Sequence, residues 1–296
     1  MSADQTPLDL IKNAADIKPA GFVMSELKWR YLVRSAVRGK NVLLLGPTGT
    51  GKTMAALCLK EALNRSDRFY NFNLGSTDDP KTTLLGKTHF DKNVGTFFGE
   101  SEFIRAIRTP NAIILLDEIS RCHPSGWNIL LSVLDDLQRY VRLDDTVDSE
   151  IVKVAEGVAF VATANVGQEY TATRVMDRAL LDRFTVKLEV DILTAEQELE
   201  LLVSKYPSVD VELFTEVTAI AETLRVMCKE GKIGKPISTR AVMEIGGLMS
   251  DGFTLSEIAE VVIYPDYSDT GEADSERATV KQVLQMYTTT TSNPLF

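Results

Sequence analysis

The sequence predicts an α/β protein: a doubly wound parallel sheet with helices on both faces, followed by a smaller part built of helices alone. Short apolar runs that fit buried strands alternate with helical patterns across residues 41–190. A glycine-rich segment joins the first of these runs directly to a helical pattern. From Thr194 onward only helical patterns remain. We therefore expect a domain boundary near Asp191.

Each element of the sheet region is predicted from its own pattern. Strands are expected where a short run is apolar or alternates between apolar and polar residues, at 41–45, 69–73, 112–116, 158–163 and 185–190. Helical spacing predicts helices over 25–38, 54–64, 100–108 and 125–138, and a helical turn over 177–184. The packed face of the fourth helix is predicted to hold Trp127, Leu130, Leu131, Leu134 and Leu137.

Two segments between these elements fit hairpins. Residues 84–98 carry several glycines and the pair Phe97-Phe98, and predict either irregular structure or a hairpin. The two phenylalanines either pack beneath this segment or grip a substrate, and the sequence leaves both open. Residues 140–143 and 151–154 flank an acidic loop over 144–148 and predict a second hairpin.

The helical part opens with a clear start signal. Thr194 and Gln197 form a capping box, and Thr254 with Glu257 forms another. Helices are expected over 212–229 and 238–250, and from Thr254 to about residue 264. Residues 265–277 hold five carboxylates and one arginine, which predicts a solvated loop.

Composition excludes several classes of protein. The chain has 296 residues and a net charge of −10, and its pI is about 4.9. A broad nucleic-acid surface is therefore not expected. Cys58, Cys122 and Cys228 are widely spaced, which predicts reduced thiols and a cytoplasmic location. No apolar run suits a signal peptide or a membrane helix, so no membrane partner is expected.

The glycine-rich segment matches in full the pattern of a phosphate-binding loop between a strand and a helix. Its glycines let backbone N–H groups approach phosphate oxygens, and the helix N-terminus adds partial positive charge. Lys52 suits the β- and γ-phosphates, and the hydroxyl of Thr53 suits Mg²⁺. The residues expected to contact the nucleotide are Gly46, Pro47, Thr48, Gly49, Thr50, Gly51, Lys52, Thr53 and Met54.

Asp117 and Glu118 directly follow a predicted buried strand. In a doubly wound sheet that strand end faces the same crevice as the phosphate loop. Asp117 is then placed to hold Mg²⁺ through water, and Glu118 to polarise the attacking water. The alternative is an acidic pair on the surface with no chemical role.

Three further residues are candidates for catalysis. Asn165 ends the next strand, where an amide either orients water beside the γ-phosphate or forms a turn. Arg183 precedes the last strand and serves either as a transition-state cation in a neighbouring subunit or in a structural salt bridge. Arg240 opens a helix of the second part, where it either reaches the γ-phosphate or is structural.

In this order the motifs resemble those of the AAA+ ATPases, within them the group of MoxR, CobS, the gas-vesicle protein GvpN and the dynein-like modules. Residues 46–53 match Walker A, and 112–124 resemble Walker B and its tail. Residues 161–165 match sensor 1 with Asn165, 177–184 resemble the arginine-finger segment, and 237–241 resemble sensor 2 with Arg240. The segments 84–98 and 140–154 fall where this group has its helix-2 insert and its pre-sensor-1 hairpin.

The resemblance implies a five-stranded AAA+ core over 21–191 and a helical lid over 192–264, with extensions over 1–20 and 265–296. It implies ATP and Mg²⁺ as cofactors, and ATP hydrolysis that remodels or assembles a protein partner. It also implies a homohexameric ring in which Arg183, or Arg178 as the alternative, completes the site of the next subunit. Members of the group often act on a protein with a von Willebrand A domain.

Two other functions stay open at this point. A nucleotide-dependent switch or scaffold is disfavoured by the complete set of Glu118, Asn165, Arg183 and Arg240, because a pure binder has no need of them. A GTP-dependent translocase similar to McrB is disfavoured because no guanine-reading N-K-x-D motif is present.

Overall fold

A parallel sheet organises the first part of the chain and a helical bundle the second. The computed structural model describes residues 6–76, 79–93, 95–146, 149–165, 176–271 and 275–291. Parts of the predicted extensions and of the acidic loop 144–148 lie outside these residues. Contacts divide the chain into two units, Met1–Gly46 with Lys52–Val190, and Pro47–Gly51 with Asp191–Phe296.

The strands of the described residues are β1 (Val42–Gly46), β2 (Phe69–Asn73), β3 (Gly86–Asp91), β4 (Gly95–Glu100), β5 (Ile113–Asp117), β6 (Tyr140–Leu143), β7 (Glu150–Lys153), β8 (Ala159–Asn165) and β9 (Val186–Glu189). Five of them form one parallel sheet in the order β2-β5-β8-β1-β9. The predicted doubly wound, five-stranded sheet is therefore confirmed.

The central strands are buried on both faces because their side chains alternate between two apolar cores. Leu43, Ile114 and Phe160 point into one core, whereas Val42 and Ile113 belong to the opposite one. All five side chains are inaccessible to solvent. The register pairs Gly46 of β1 with Asn165 of β8 and Asn73 of β2 with Asp117 of β5. The polar ends of four strands thus lie along one edge of the sheet.

The helices of the first unit are α1 (Pro7–Lys12), α2 (Glu26–Val37), α3 (Lys52–Ala62), α4 (Pro80–Leu84), α5 (Glu102–Arg108), α6 (Pro124–Val133) and α7 (Arg178–Asp182). The N-terminal residues pack on the sheet unit: Ala14 is buried, and its carbonyl accepts a hydrogen bond of 2.6 Å from the indole of Trp29. Helix α4 was not predicted; Asp79 caps its N-terminus by accepting from the N–H of Thr82.

The prediction for the helix over 125–138 is wrong at its C-terminal end. Helix α6 ends at Val133, and Leu137 is 95% exposed instead of lying on the packed face. The carboxylate of Asp135 accepts hydrogen bonds from the N–H groups of Leu137 and Gln138, which stabilises a turn instead. Arg139, at φ +44, then leads the chain into β6.

Both hairpins are present. Strands β3 and β4 pair antiparallel, as do β6 and β7, so 84–98 takes the hairpin alternative. Phe98 packs against the core of the first unit. Phe97 is 44% exposed and Phe90 75% exposed. Packing therefore accounts for Phe98 but not for Phe97.

The second unit contains α8 (Ala195–Lys205), α9 (Val211–Lys229), α10 (Thr239–Ser250), α11 (Leu255–Ile258) and α12 (Glu276–Thr291), with a π-helical turn over Ala259–Ile263 and a 3₁₀ turn over Tyr264–Asp266. Both predicted capping boxes are present. The expectation of a solvated loop over 265–277 is wrong. Tyr267 and Ser275 are buried, the side chain of Arg277 donates to the carbonyl of Tyr267, and α12 adds Val280 and Leu284 to the core of this unit.

Across the residues that the structure describes, no helix is both long enough and apolar enough to cross a membrane.

Candidate functional site

The glycine-rich loop begins where β1 ends and closes where α3 begins. Gly49 and Gly51 have φ values of +79° and +89°, a backbone conformation that a side chain would strain. A Cβ built at Gly51 meets no atom within 4 Å, so the space beside it is open. The Thr50 hydroxyl donates to the carbonyl of Pro47 at 3.0 Å and closes the loop on itself. A loop of this kind can present consecutive N–H groups to an anion.

Lys52 lies in the first turn of α3 and is only 7% exposed. Its ammonium donates to the carbonyl of Gly46 at 2.9 Å and so reaches back to the other end of the loop. A buried ammonium is costly unless it is compensated by hydrogen bonds or an anion. The group is therefore well placed to bind an anion that enters the loop.

Thr53, Asp117 and Thr163 form a hydrogen-bonded cluster at the ends of β5 and β8. The Thr53 hydroxyl lies 3.2 Å from both carboxylate oxygens of Asp117. On the other side the Thr163 hydroxyl donates to Oδ1 of Asp117 and accepts the N–H of Glu118 at 2.9 Å. Thr163 was not among the predicted site residues. The signal for it is a hydroxyl in an otherwise apolar strand, two positions before Asn165.

Glu118 has a left-handed backbone with φ +55, which is uncommon for a residue with a side chain. Its Oε2 lies 3.2 Å from Nη1 of Arg121, in a pair that stays partly solvated. A Cβ built on Gly75 would collide with Oε2 of Glu118 and lie 3.0 Å from its Cβ. The carboxylate is thus held beside the end of β2 by the fold of its own unit.

The other predicted residues lie elsewhere. Asn165 ends β8 opposite Gly46. Arg183 contacts Asp135 of its own chain, with Nη2 3.1 Å from Oδ2. Arg240, in the first turn of α10, is exposed, and contacts group the loop residues Pro47–Gly51 with the same unit. The structure therefore brings Lys52, Thr53, Asp117 and Glu118 together, but it does not place Arg183 among them.

The donor set suits Mg²⁺ more than a metal that needs a full protein cage. The described residues contain no group of three or more His, Cys, Asp or Glu side chains that could hold a metal. Mg²⁺ is usually held by one or two protein oxygens together with water and substrate phosphates. The hydroxyl of Thr53 and the carboxylate of Asp117 are such oxygens.

A parallel sheet with this loop after β1, a buried lysine in the next helix and an acidic pair after a neighbouring strand has the fold of a P-loop nucleoside triphosphatase. The family described as "AAA domain (dynein-related subfamily)" matches residues 41–184. Beyond this match, similarity extends over most of the chain. "Putative chaperone BssE" of Thauera aromatica is 33% identical, over 76% of this chain and 75% of its own. The chain therefore belongs to the AAA domain family, in its dynein-related subfamily.

Two more comparisons agree with this family. An uncharacterized protein of Staphylococcus haemolyticus is 30% identical over 83% of this chain and 90% of its own. A closed-state reconstruction of Hsp104 with ATPγS and FITC casein has a TM-score of 0.54 at 14% identity, over 77% of this chain. The match spans 48% of that Hsp104 chain, and at this identity it supports the fold alone.

Proposed function

We propose that this protein binds ATP with Mg²⁺ in the loop over 46–53 and hydrolyses it. The observation that carries the proposal is the connected cluster at the edge of the sheet. There Lys52 is buried beside the loop, Thr53 is hydrogen-bonded to Asp117, and Glu118 is fixed next to Asp117. Membership of the AAA domain family supports ATP as the nucleotide.

Each residue of the cluster has a distinct proposed task. The loop N–H groups and Lys52 bind the phosphates, and Thr53 and Asp117 hold Mg²⁺, which neutralises phosphate charge when bound. The Glu118 carboxylate takes the proton of the attacking water. Asn165, at the end of the neighbouring strand, orients that water. Arg240 of the second unit contributes positive charge to the γ-phosphate.

Hydrolysis is proposed to drive the remodelling or assembly of a protein partner. A relative that is 33% identical carries the name "Putative chaperone BssE", and a full set of hydrolytic residues suits a motor better than a static scaffold. The proposed working form is a homohexameric ring, with a core over 21–191 and a lid over 192–264. The proposed partner is a protein, of which one with a von Willebrand A domain is an example.

A pair of variants tests the hydrolytic site. Lys52→Ala should abolish ATP binding in calorimetry, because the phosphates lose the buried cation of the loop. Glu118→Gln should still bind ATP but release phosphate at least about a hundredfold more slowly, the usual scale for loss of a general base.

A matched control is Glu102→Gln, an equal change of charge in the first turn of α5, which should leave turnover unchanged. The same assays with GTP in place of ATP test the choice of nucleotide. Normal phosphate release by Glu118→Gln would contradict the proposed role of this carboxylate, and unchanged affinity in Lys52→Ala would contradict the site itself.

A further inference from the structure

Thr163 lies in the middle of the sheet, one strand away from the acidic pair. It belongs to β8, is 2% exposed, and follows a run of fully buried apolar residues that includes Val161 and Ala162. A strand position of this kind needs no hydroxyl for packing, and valine has the same shape without the polar atom. The hydroxyl therefore calls for an explanation in the residues that it contacts.

The direction of the Thr163 hydroxyl is fixed by its two partners. The N–H of Glu118 can only donate, so at 2.9 Å it takes a lone pair of Oγ1. The hydroxyl proton is then left for Oδ1 of Asp117, which accepts it. One atom thus contacts both acidic residues, the first through its side chain and the second through its backbone.

Each contact has a geometric consequence. The bond to Oδ1 limits rotation of the Asp117 carboxylate, whose other oxygen, Oδ2, lies 3.2 Å from the Thr53 hydroxyl. The bond from the N–H of Glu118 supports the left-handed backbone, φ +55, that this residue adopts directly after the strand. Without the hydroxyl, the buried carboxylate and the N–H would each lose a partner.

We propose that Thr163 is a positioning residue that aligns the Asp117 carboxylate for the metal and the Glu118 carboxylate for the attacking water. This inference rests on the proposed function, because it assigns an outer partner to the same site. Partners of this type, one shell beyond the metal-binding groups, typically contribute about 10- to 100-fold to metal affinity or activity.

The test compares full-length variants in two measurements. Binding of a fluorescent ATP analogue is titrated with MgCl₂, and ATP affinity is measured separately in EDTA. For Thr163→Val we expect the Mg²⁺ concentration that gives half-maximal enhancement of binding to rise by about 10-fold or more, and kcat to fall in parallel. Affinity in EDTA should not change, because the loop and Lys52 are untouched.

Two variants and a control separate positioning from general stability. Thr163→Ser keeps the hydroxyl and should restore the Mg²⁺ dependence of the wild type, whereas Thr163→Ala should repeat the effect of valine if the valine variant does not fold. Thr218→Val removes another buried hydroxyl, 3% exposed and bonded to the carbonyl of Thr215 in α9, and should leave the Mg²⁺ dependence unchanged.

The outcomes distinguish the two proposals. A wild-type protein that binds Mg·ATP and hydrolyses it, together with a valine variant of unchanged Mg²⁺ dependence, overturns only the role of Thr163. A lower melting temperature without a shift in Mg²⁺ dependence means a purely structural hydroxyl and overturns it too. A wild-type protein that binds no ATP overturns the proposed function and this inference with it.

Discussion

At the scale of single residues, the absence of a side chain at position 75 is coupled to the placement of Glu118. A Cβ at Gly75 would collide with Oε2 of Glu118 and crowd Cβ of Arg121 at 3.3 Å. Gly75 is not among the residues with positive φ, so alanine is compatible with its backbone. A substitution there therefore acts through these neighbours and not through backbone strain.

The first residue-scale prediction is that Gly75→Ala slows ATP turnover while ATP binding is retained. The added methyl group must push the Glu118 carboxylate away, and misplacement of a reacting group by about 1 Å can cost about 100-fold in rate. Steady-state phosphate release and calorimetric ATP binding are the measurements. In the background of Glu118→Gln the substitution should have little further effect on turnover, because coupled residues are not additive; a full additional loss there would contradict the coupling.

The phosphate loop and the acidic pair could be predicted from the sequence because their chemistry is contiguous. Residues 46–53 form one motif, and Asp117 and Glu118 are adjacent. Thr163, Gly75 and Arg121 reach Asp117 and Glu118 through strand pairing and loop geometry, which a one-dimensional pattern does not contain. Only the order of the strands places β8 beside β5 and so brings Thr163 to the acidic pair.

At the scale of elements, helix starts could be predicted better than helix ends. The boxes at Thr194 and Thr254 were visible because capping depends on two residues three positions apart. The end of α6 depends on Asp135 turning back onto the next N–H groups, while the apolar spacing continues through Leu137. The acidic composition of 265–277 likewise hid a buried Tyr267.

A buried ion pair joins three helices of the second unit. Arg225 of α9 forms two bonds to Glu198 of α8, at 2.7 and 2.9 Å. The same arginine donates to the carbonyl of Ile237 at 3.1 Å, and Thr239 of α10 donates to Glu198 at 2.6 Å. The pair therefore fixes the start of α10, directly before Arg240.

The element-scale prediction concerns this pair. Glu198→Ala leaves the buried Arg225 without its counter-charge, which typically costs about 3–5 kcal/mol. We expect the unfolding temperature, measured by calorimetry, to fall by more than about 10 °C. Glu230→Ala is the control, because Glu230 pairs with Lys232 at 2.7 Å where both side chains are at least half exposed, and such pairs contribute little. Equal effects of the two substitutions would show that burial does not matter here.

At the scale of the whole molecule, the proposed ring requires an arginine that serves the site of a neighbouring subunit. Arg183 fits the family pattern best, but the structure engages it within its own chain. Its Nε donates to the carbonyl of Leu131 at 3.4 Å, and its Nη2 lies 3.1 Å from Asp135. Hydrogen bonds from the N–H groups of Gln138 and Leu137, together with Arg183, lower the pKa of Asp135, so this partner stays charged at neutral pH.

Arg178 differs in both respects. It is the first residue of α7 and is exposed, and within the described part of the chain its guanidinium forms no hydrogen bond or ion pair. To reach a neighbour, Arg183 must give up the pair with Asp135, whereas Arg178 gives up nothing. The geometry therefore favours Arg178 as the residue that acts in trans and Arg183 as a structural residue.

Mixing experiments with inactive variants test this assignment. If sites are shared between subunits, turnover per subunit should rise with protein concentration, since only assembled sites are complete. Arg178→Ala alone should lose about 10³–10⁵-fold in rate, the effect of an arginine supplied by another chain in GTPase systems. Mixed with Lys52→Ala it should recover part of the activity, because some interfaces then join an intact Lys52 to an intact Arg178. Arg183→Ala mixed with Lys52→Ala should not recover, because the lost contact lies inside one subunit. Recovery with Arg183→Ala instead would return the role to Arg183, and no recovery in either mixture, with co-assembly shown by tagged pull-down, would argue against a shared site.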